Sequence, residues 1–532
     1  MGSCASISLG VLLSRRPPHG GQFTFSIFSS LHLSRECCSR LKVRAPAMDE
    51  TLSSQSFRNS EACAARIVEK LQAAGFAAYF VGGCVRDRLM GIVPKDYDIA
   101  TSAPPQEVGR LFPQTVAVGA AFGVIRVMEE GGSYEVATFR SDGAYSDGRR
   151  PGRVTYSSDP RLDVQRRDFT INGLLYDPSS GQVLDFVGGE RDIRSGVIRT
   201  IGSAERRFQE DKLRLVRAVR FAARFGYGFE QETLAALRDR AEEVTRVSPE
   251  RIREELVRIL TEGYAAAGIG RLEEVGLLVH LLPEVSDLKG VPQPPEFHPE
   301  GDCWVHTLLM LKLMDRSRTK KGNDLREDES LDRQADRPAP PSNVPFGKAL
   351  VSYPSVTLAV GVLLHDVGKP PTFERRDRIR FNRHAEVGAR MALRICERLR
   401  FSRKQQERIT ALVRDHLKFI DLPRMRASTL KRFLGQEGFE EHLELHRLDC
   451  LGSHGNLDNW RLAVATLDHS EPEELHPRPI LTGNDLIQMG YTPGPVFREI
   501  LGSLRDAQLE NRVQTRRQAK AWVSARFDLG PC

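Results

Sequence analysis

The sequence predicts an α+β head, a small mixed β-sheet with helices, followed by an all-α body and a further α-helical domain. Two textures and one turn signal predict it. Between about Phe57 and Ile201, strand-like runs such as "AAYFV", "GVIRVME" and "YEVATFR" alternate with helical text such as the amphipathic "EACAARIVEKLQAAG". Two of the strand candidates, "AAYFVGG" and "GQVLDFVGG", end in paired glycines, which let the backbone turn tightly against a ligand. From Ala204 onward the text is almost wholly helical, as in "DKLRLVRAVRFAARF", "ERIREELVRILTEG" and "AGIGRLEEVGLLVHLL".

Taken in order, residues 1–56 form a targeting-like or disordered segment, 57–203 the head and 204–290 a helical neck. Residues 291–470 form the further helical domain and 471–532 a helical tail. A charged, proline-rich insertion at 316–346 ("TKKGNDLREDESLDRQADRPAPPSN") has too little apolar area to order itself. Residues 1–47 carry six Lys or Arg against one acid, Glu36, before a second methionine at Met48. An organellar transit peptide reads that way, and so does text upstream of a misplaced start. This stretch supplies +5 of the formal +7, so net charge does not argue for a nucleic-acid partner; only local clusters can. Nine cysteines include no CxxC pair, which favours a reducing cytoplasmic setting over a zinc or disulfide framework. No run approaches the roughly 18–20 apolar residues that span a membrane.

The head carries the sharpest signal, "VGGCVRDRLMGIVPKDYDIAT". After the Gly-Gly turn, "DYDIAT" reads as a second strand, and period-two alternation points Asp96 and Asp98 the same way. Carboxylates held that close repel unless a cation lies between them. Mg²⁺ prefers carboxylate oxygen and keeps positions for water and phosphates, so the pair suits phosphoryl or nucleotidyl transfer. Taken alone, such a pair is also compatible with two solvated aspartates. Glu135 in "YEVATFR" offers a third carboxylate, and Arg167 in "RRDFTING" a guanidinium fork for a triphosphate, or else a surface pair with Asp168.

In "EDKLRLVRAVRF" a helix would set Asp211, Arg214, Arg217 and Arg220 near one face, with Leu213, Val216 and Val219 on another. Aspartate accepts from a base amino group and arginine donates to ring acceptors, so Asp211 with Arg214 can read a base edge. A solvated face with i,i+3 pairs would look the same.

The succession "GGCVRD…DYD", "EVATFR", "RRDFTIN" and "EDKLRLVRAVRF", in that order and spacing, resembles the class II, bacterial-type tRNA nucleotidyltransferases and poly(A) polymerases, the CCA-adding enzymes. The resemblance covers nearly all of the chain after about Ser56. It implies Mg²⁺ on Asp96 and Asp98, with Gly83, Arg86 and Arg167 contacting nucleotide phosphates. It also implies base reading by Asp211 and Arg214, with Arg217 and Arg220 completing the pocket. The implied partners are tRNA or another RNA 3′ end, CTP and ATP. Gly173 replaces the family's usual alanine, and no loss of chemistry is expected from it. The glycine-rich "RSDGAYSDGRRPGRV" stands where the family has a flexible loop that cytidine-only relatives tend to lack. An A-adding enzyme, a poly(A) polymerase and an RNA-binding protein with an inactive head remain alternatives.

The second helical region gathers His306, His365, Asp366, His384, His416 and Asp449. Imidazole and carboxylate ligands suit a divalent transition metal, whose bound water can be activated for phosphoester hydrolysis. This resembles the HD phosphohydrolase superfamily, which implies a four-ligand set of His306, His365, Asp366 and Asp449; the fold can equally serve only to hold RNA. The tail resembles the family's C-terminus, with Arg512, Arg516, Arg517 and Lys520 available to an RNA backbone.

Overall fold

The computed structural model describes residues 50–119, 123–129, 132–143, 154–319 and 354–528. The head is built on strands β1 (Ala78–Val81), β2 (Ile99–Thr101), β3 (Thr115–Gly119), β4 (Val124–Glu129), β5 (Gly132–Thr138), β8 (Leu174–Asp177) and β9 (Gln182–Asp185). A separate hairpin pairs β6 (Arg140–Asp142) with β7 (Val154–Tyr156). The main sheet runs β3-β4-β5-β2-β1-β8-β9. Its β2–β5 pair is parallel and its other pairs are antiparallel, so the sheet is mixed as expected.

Strand alternation divides the head core between the sheet's two faces. Phe80, Ile99, Val136 and Leu174 pack with Cys63, Ala64, Ile67, Val68 and Leu71, which recur on one stripe of helix α1 (Glu50–Ala73). Val81, Ala100 and Leu175, each one residue on, pack instead with Phe139, Val164 and Ile201. Burial of each large apolar chain contributes about 1.5–3 kcal/mol. The helix α1 begins at Glu50, inside the segment expected to be unstructured to residue 56; residues 1–49 lie outside the described residues.

Short helices punctuate the strands: α2 (Gly83–Leu89), α3 (Pro105–Leu111), α4 (Pro160–Gln165) and α5 (Gly189–Ser195). Asp159 caps α4 by accepting from the Arg161 N–H at 2.8 Å, with Pro160 at the first helical position. The body then follows as α6 (Ala204–Glu210), α7 (Leu213–Phe225), α8 (Gln231–Asp239), α9 (Pro249–Thr261) and further helices to Ser524. One buried cluster runs from Phe169 through α7 to Leu448, so the boundary expected at 290 is not a break in the core. A separate cluster, Leu481 to Val523, holds the tail.

Two small strands interrupt the helical text as a hairpin, Phe373–Arg375 with Ile379–Phe381. The helix Cys303–Thr319 reaches into the start of the expected insertion, and residues 320–353 lie outside the described residues, as do 144–153 of the glycine-rich loop.

Candidate functional site

The glycine turn after β1 sets the geometry of the head site. Gly82 has φ 76°, and a Cβ there would lie 3.3 Å from Arg167 Nη1, so the guanidinium rests against the turn. The backbone N–H of Val81 donates to Asp98 O at 3.0 Å. Asp96 and Asp98 precede β2 rather than lying within it, a correction to the expected strand: paired ladder residues begin at Ile99. The parallel register aligns Ile99 with Val136, which sets Asp98 beside Glu135 on the opposite face of the sheet.

Three carboxylates thus converge. Asp98 is exposed at its surface atoms, yet protein crowds it on enough sides that lost hydration is the largest cause lifting its pKa to about 6. Negative Glu135 and Asp96 push the same way, and Arg167 opposes them. Glu135 is also exposed, 2.9 Å from Arg126. An all-oxygen donor set whose like charge Arg167 and Arg126 only partly offset fits a hard divalent cation.

Arg167 is held by Asp163 at 3.0 Å, not by Asp168 as in the alternative to the triphosphate role. The buried Asp163 also takes Arg166 at 2.7 Å, so one carboxylate fixes two arginines at the site's edge. Gly83 opens α2, and Arg86, expected to meet phosphate, instead points inward: it is 3% exposed. Its guanidinium donates to Asp87 at 2.6 and 2.9 Å and to Asn172 Oδ1 at 2.5 Å, and lies over Phe221 and Phe225 of α7.

The residues expected to read the base also differ from expectation. Asp211 ends α6, and α7 starts at Leu213, so Asp211 does not share a helix with Arg214. Its carboxylate accepts two bonds from Arg251 of α9, at 3.1 and 2.7 Å, and one from the Leu213 N–H at 3.1 Å. Arg214 turns back to Glu210, Arg207 O and Arg166 O at 3.0–3.1 Å. Arg217 grips Asp168 at 2.6 Å, and Arg220 grips Glu255 at 2.5 Å. Asp168 in turn accepts from Asn172 at 3.1 Å. A continuous polar chain therefore joins Arg86 beside the glycine turn to α7 and α9 through Asn172, Asp168, Arg217 and Glu255.

Arg251 and Glu255 were missed in the sequence. Their i,i+4 spacing on an amphipathic helix was the available signal, and it is shared by many surface pairs.

The structure divides the expected four-ligand set of the second constellation between two groups. His306 Nε2 lies 3.2 Å from Asp449, and these two form a triad with His365; Asp366, His384 and His416 form another. Three rings donate Nδ1–H to the backbone carbonyl three residues earlier: His365 to Val362 O at 2.8 Å, His384 to Phe381 O at 3.0 Å and His416 to Val413 O at 2.7 Å. Carbonyls only accept, so each neutral ring keeps its lone pair on Nε2.

His384 Nε2 and His416 Nε2 then face each other at 3.3 Å. Burial, followed by repulsion from His384 and His365, holds His416 down at about 4, and burial lowers His384. Opposed lone pairs fit a bound cation. His306 differs: its Nδ1 meets Glu300 at 2.7 Å. Burial alone would lower it, but hydrogen bonds with Asp449 and Glu300 outweigh that and raise it to about 9. His365 Nε2 lies 3.1 Å from Asp366 Oδ2, and Glu300 Oε2 is buried without a hydrogen-bond partner among the described residues. Nitrogen and oxygen donors of this kind suit a transition metal. Lys369 Nζ sits 2.7 Å from Asp366 and 2.5 Å from Gln293 Oε1.

In the tail, Arg512 pairs with Glu510 and Arg516 with Asp485. Arg517 and Lys520 project from the helix Arg516–Ser524 with no ion-pair partner among the described residues.

Comparison with known proteins agrees with this division of the chain. Residues 78–199 match the Poly A polymerase head domain, 226–289 the probable RNA and SrmB-binding site of polymerase A, and 352–447 the HD domain. A CCA-adding enzyme of Lactobacillus helveticus is 37% identical over 283 residues, 51% of this chain and 69% of that protein. One from Geobacillus kaustophilus is 43% identical over 215 residues, 40% of this chain and 53% of that protein, so there the chain spans about half the relative's length. The crystal structure of the Bacillus stearothermophilus CCA-adding enzyme in complex with CTP superposes with a TM-score of 0.60 at 26% identity, covering 87% of this chain and 97% of that one.

Proposed function

The chain belongs to the family of the CCA-adding enzymes, nucleotidyltransferases of bacterial type, and from that premise we propose that it adds C and A from CTP and ATP to the tRNA 3′ end. The observation that carries the reading is the convergence of Asp96, Asp98 and Glu135 beside the Gly82 turn and Arg167. Asp96 and Asp98, joined by Glu135, would hold Mg²⁺. When bound, the metal supplies charge neutralisation for the reacting phosphate and lowers the pKa of the RNA 3′-hydroxyl.

The chain's own residues do the rest. Gly82 and Gly83 leave room for the triphosphate against the turn, and Arg167, preset by Asp163, offers donors to its oxygens. The 3′-hydroxyl attacks the α-phosphorus in line, the bond to the β-phosphate bridging oxygen breaks, and pyrophosphate leaves; no covalent enzyme intermediate is required. Base choice falls to Asp211 and Arg214 as a protein template, with Arg217 and Arg220 behind them. Arg86 serves this reading as a tie between α2 and α7 and not as a phosphate ligand.

The test is to incubate the chain and Mg²⁺ with tRNAs ending before the CCA, after one C and after two, with CTP and ATP separately and together. Addition of CCA that then stops is the expected result. A single A on the CC end alone would make it an A-adding enzyme, and an open-ended A ladder a poly(A) polymerase.

A second reading is favoured by the histidine cluster. The groups His306–His365–Asp449 and Asp366–His384–His416 would hold a divalent transition metal, which would supply an activated water for phosphoester hydrolysis. Metal content of the purified chain, compared with that of Asp366→Asn, tests it. No helix among the described residues is long and apolar enough to cross a membrane. The described free cysteines are all buried thiols, which accords with a cytoplasmic setting.

A further inference from the structure

The sheet orders the groups on the catalytic face of the head. Gly82 follows β1 and donates its N–H to Leu174 O of β8 at 3.1 Å, and Arg167 rests against that turn. The cradle for the triphosphate therefore lies where β1 meets β8. Asp98 precedes β2, and Glu135 stands on β5, the next strand over. One strand further out, β4 sets Arg126 directly across from Glu135 in the antiparallel register. Cradle, carboxylates and Arg126 thus follow one another across strands β1, β2, β5 and β4, each step about 4.8 Å.

In-line transfer gives that line a direction, because the attacking and leaving oxygens stand on opposite sides of the α-phosphorus. Pyrophosphate leaves toward the turn between β1 and β8, so the RNA 3′ end enters from the side of β5 and β4, where Arg126 stands. Its side chain is 38% exposed, while its neighbours Ile125 and Val127 turn into the core on the other face. Of its five N–H donors, one meets a partner among the described residues, Glu135 Oε1 at 2.9 Å, and Nε has none. An ion pair between side chains this exposed is weakly held. A phosphate can therefore draw the guanidinium off Glu135 and take it in a two-donor grip. On the same face the exposed Val116 of β3 lies opposite Arg126, and the exposed Met128 follows two residues on. They give a ribose an apolar surface to pack on beside the charge.

We propose that Arg126 is an RNA-binding residue of the head, which takes the phosphodiester joining the last two nucleotides of the tRNA and leaves Glu135 as the 3′-hydroxyl arrives. The inference rests on the nucleotide-addition reading. It adds that the acceptor end lies across β5 and β4, and that Glu135 regains its full charge beside Asp98 only with RNA in place.

The test measures addition of A to a tRNA ending in CC, either natural or carrying an uncharged methylphosphonate at its last linkage. Wild type should lose about tenfold or more in kcat/KM for tRNA on the methylphosphonate. Arg126→Ala should lose about as much on natural tRNA and no more than about twofold further on the methylphosphonate, because the charge it would meet is already gone. Arg126→Lys, which keeps the charge without the fork, should fall in between, and KM for ATP should stay within about twofold throughout. Arg126→Ala within twofold of wild type on natural tRNA, or a wild type indifferent to the methylphosphonate, overturns the proposal. So do losses from the variant and the methylphosphonate that multiply, which would leave Arg126 only the counter-charge of Glu135. A wild type that adds nothing to either tRNA removes the nucleotide-addition reading and the proposal with it.

Discussion

Asp98 and Asp211 show how single side chains are set by what surrounds them. Asp98 has an ordinary value of 3.8 raised to about 6, so its carboxylate costs stability at neutral pH, a cost that a bound cation would offset. Asp98→Ala should lower nucleotide addition by at least about 10³-fold, beyond what one lost electrostatic contact removes, while tRNA binding stays within twofold by filter retention. The sign for pH follows: protons compete with the cation at and below about pH 6, so the rate rises with pH through that region. Raising Mg²⁺ should move the midpoint to lower pH, and a midpoint that ignores Mg²⁺ would remove Asp98 from the metal site. Asp211 was legible as a base-reading candidate, but the two donors that orient it come from Arg251, forty residues on. A bidentate charged pair of this kind is worth about 1.5–3 kcal/mol. Arg251→Ala should therefore raise UTP and GTP incorporation relative to CTP and ATP about tenfold or more, with Arg251→Lys in between.

At the scale of elements, the head's turn and the α7–α9 pair decide the active geometry. Gly82 combines a left-handed backbone with a guanidinium 3.3 Å from where a side chain would start. Gly82→Ala should cost about 1–2 kcal/mol of stability in a urea melt and lower kcat more than it changes tRNA affinity, because Arg167 must give way. The predicted helix "EDKLRLVRAVRF" formed three residues late because Asp211 adopts extended backbone, φ −144° and ψ 105°, at the end of α6. Periodicity located α7 and its buried Leu213, Val216 and Val219 correctly; it could not show that Arg214, Arg217 and Arg220 turn to partners inside the protein. Those partners, Glu210, Asp168 and Glu255, lie on three different segments.

Across the whole molecule, buried charge ties the head to the body. Arg217 and its hydrogen bonds outweigh burial and hold the Asp168 carboxyl well below its usual range, and Arg167 and Arg166 do the same for Asp163. Depressed carboxyls stabilise the fold fully above their unfolded values near 4, and that contribution is lost as pH falls below them. The urea midpoint should drop between pH 6 and pH 3, and Asp168→Asn should flatten that drop while lowering stability at pH 7. The histidine cluster gives an independent global prediction. A metal that binds only the folded state raises its melting temperature by mass action, so chelator should lower the melting temperature of wild type and leave Asp366→Asn unmoved.

The sequence by itself determined the order of head, neck, helical domain and tail, the alternation that sorts Phe80 from Val81 across the sheet, and the residues whose chemistry is local. Asp96 and Asp98, the glycine turn and the His365–Asp366 pair are of that kind, because each signal lies within a few residues. Only the tertiary structure decided which charges meet. It brought Glu135 to Asp98 through a parallel strand pair, turned Arg86 inward onto Asn172, and supplied Arg251, Glu255, Glu300 and Gln293 from segments remote in sequence. It also brought His384 and His416 together with Asp366. The physical reason is that strand and helix periods fix which face a side chain occupies, whereas the partner on that face is chosen by packing between elements, which no local pattern encodes.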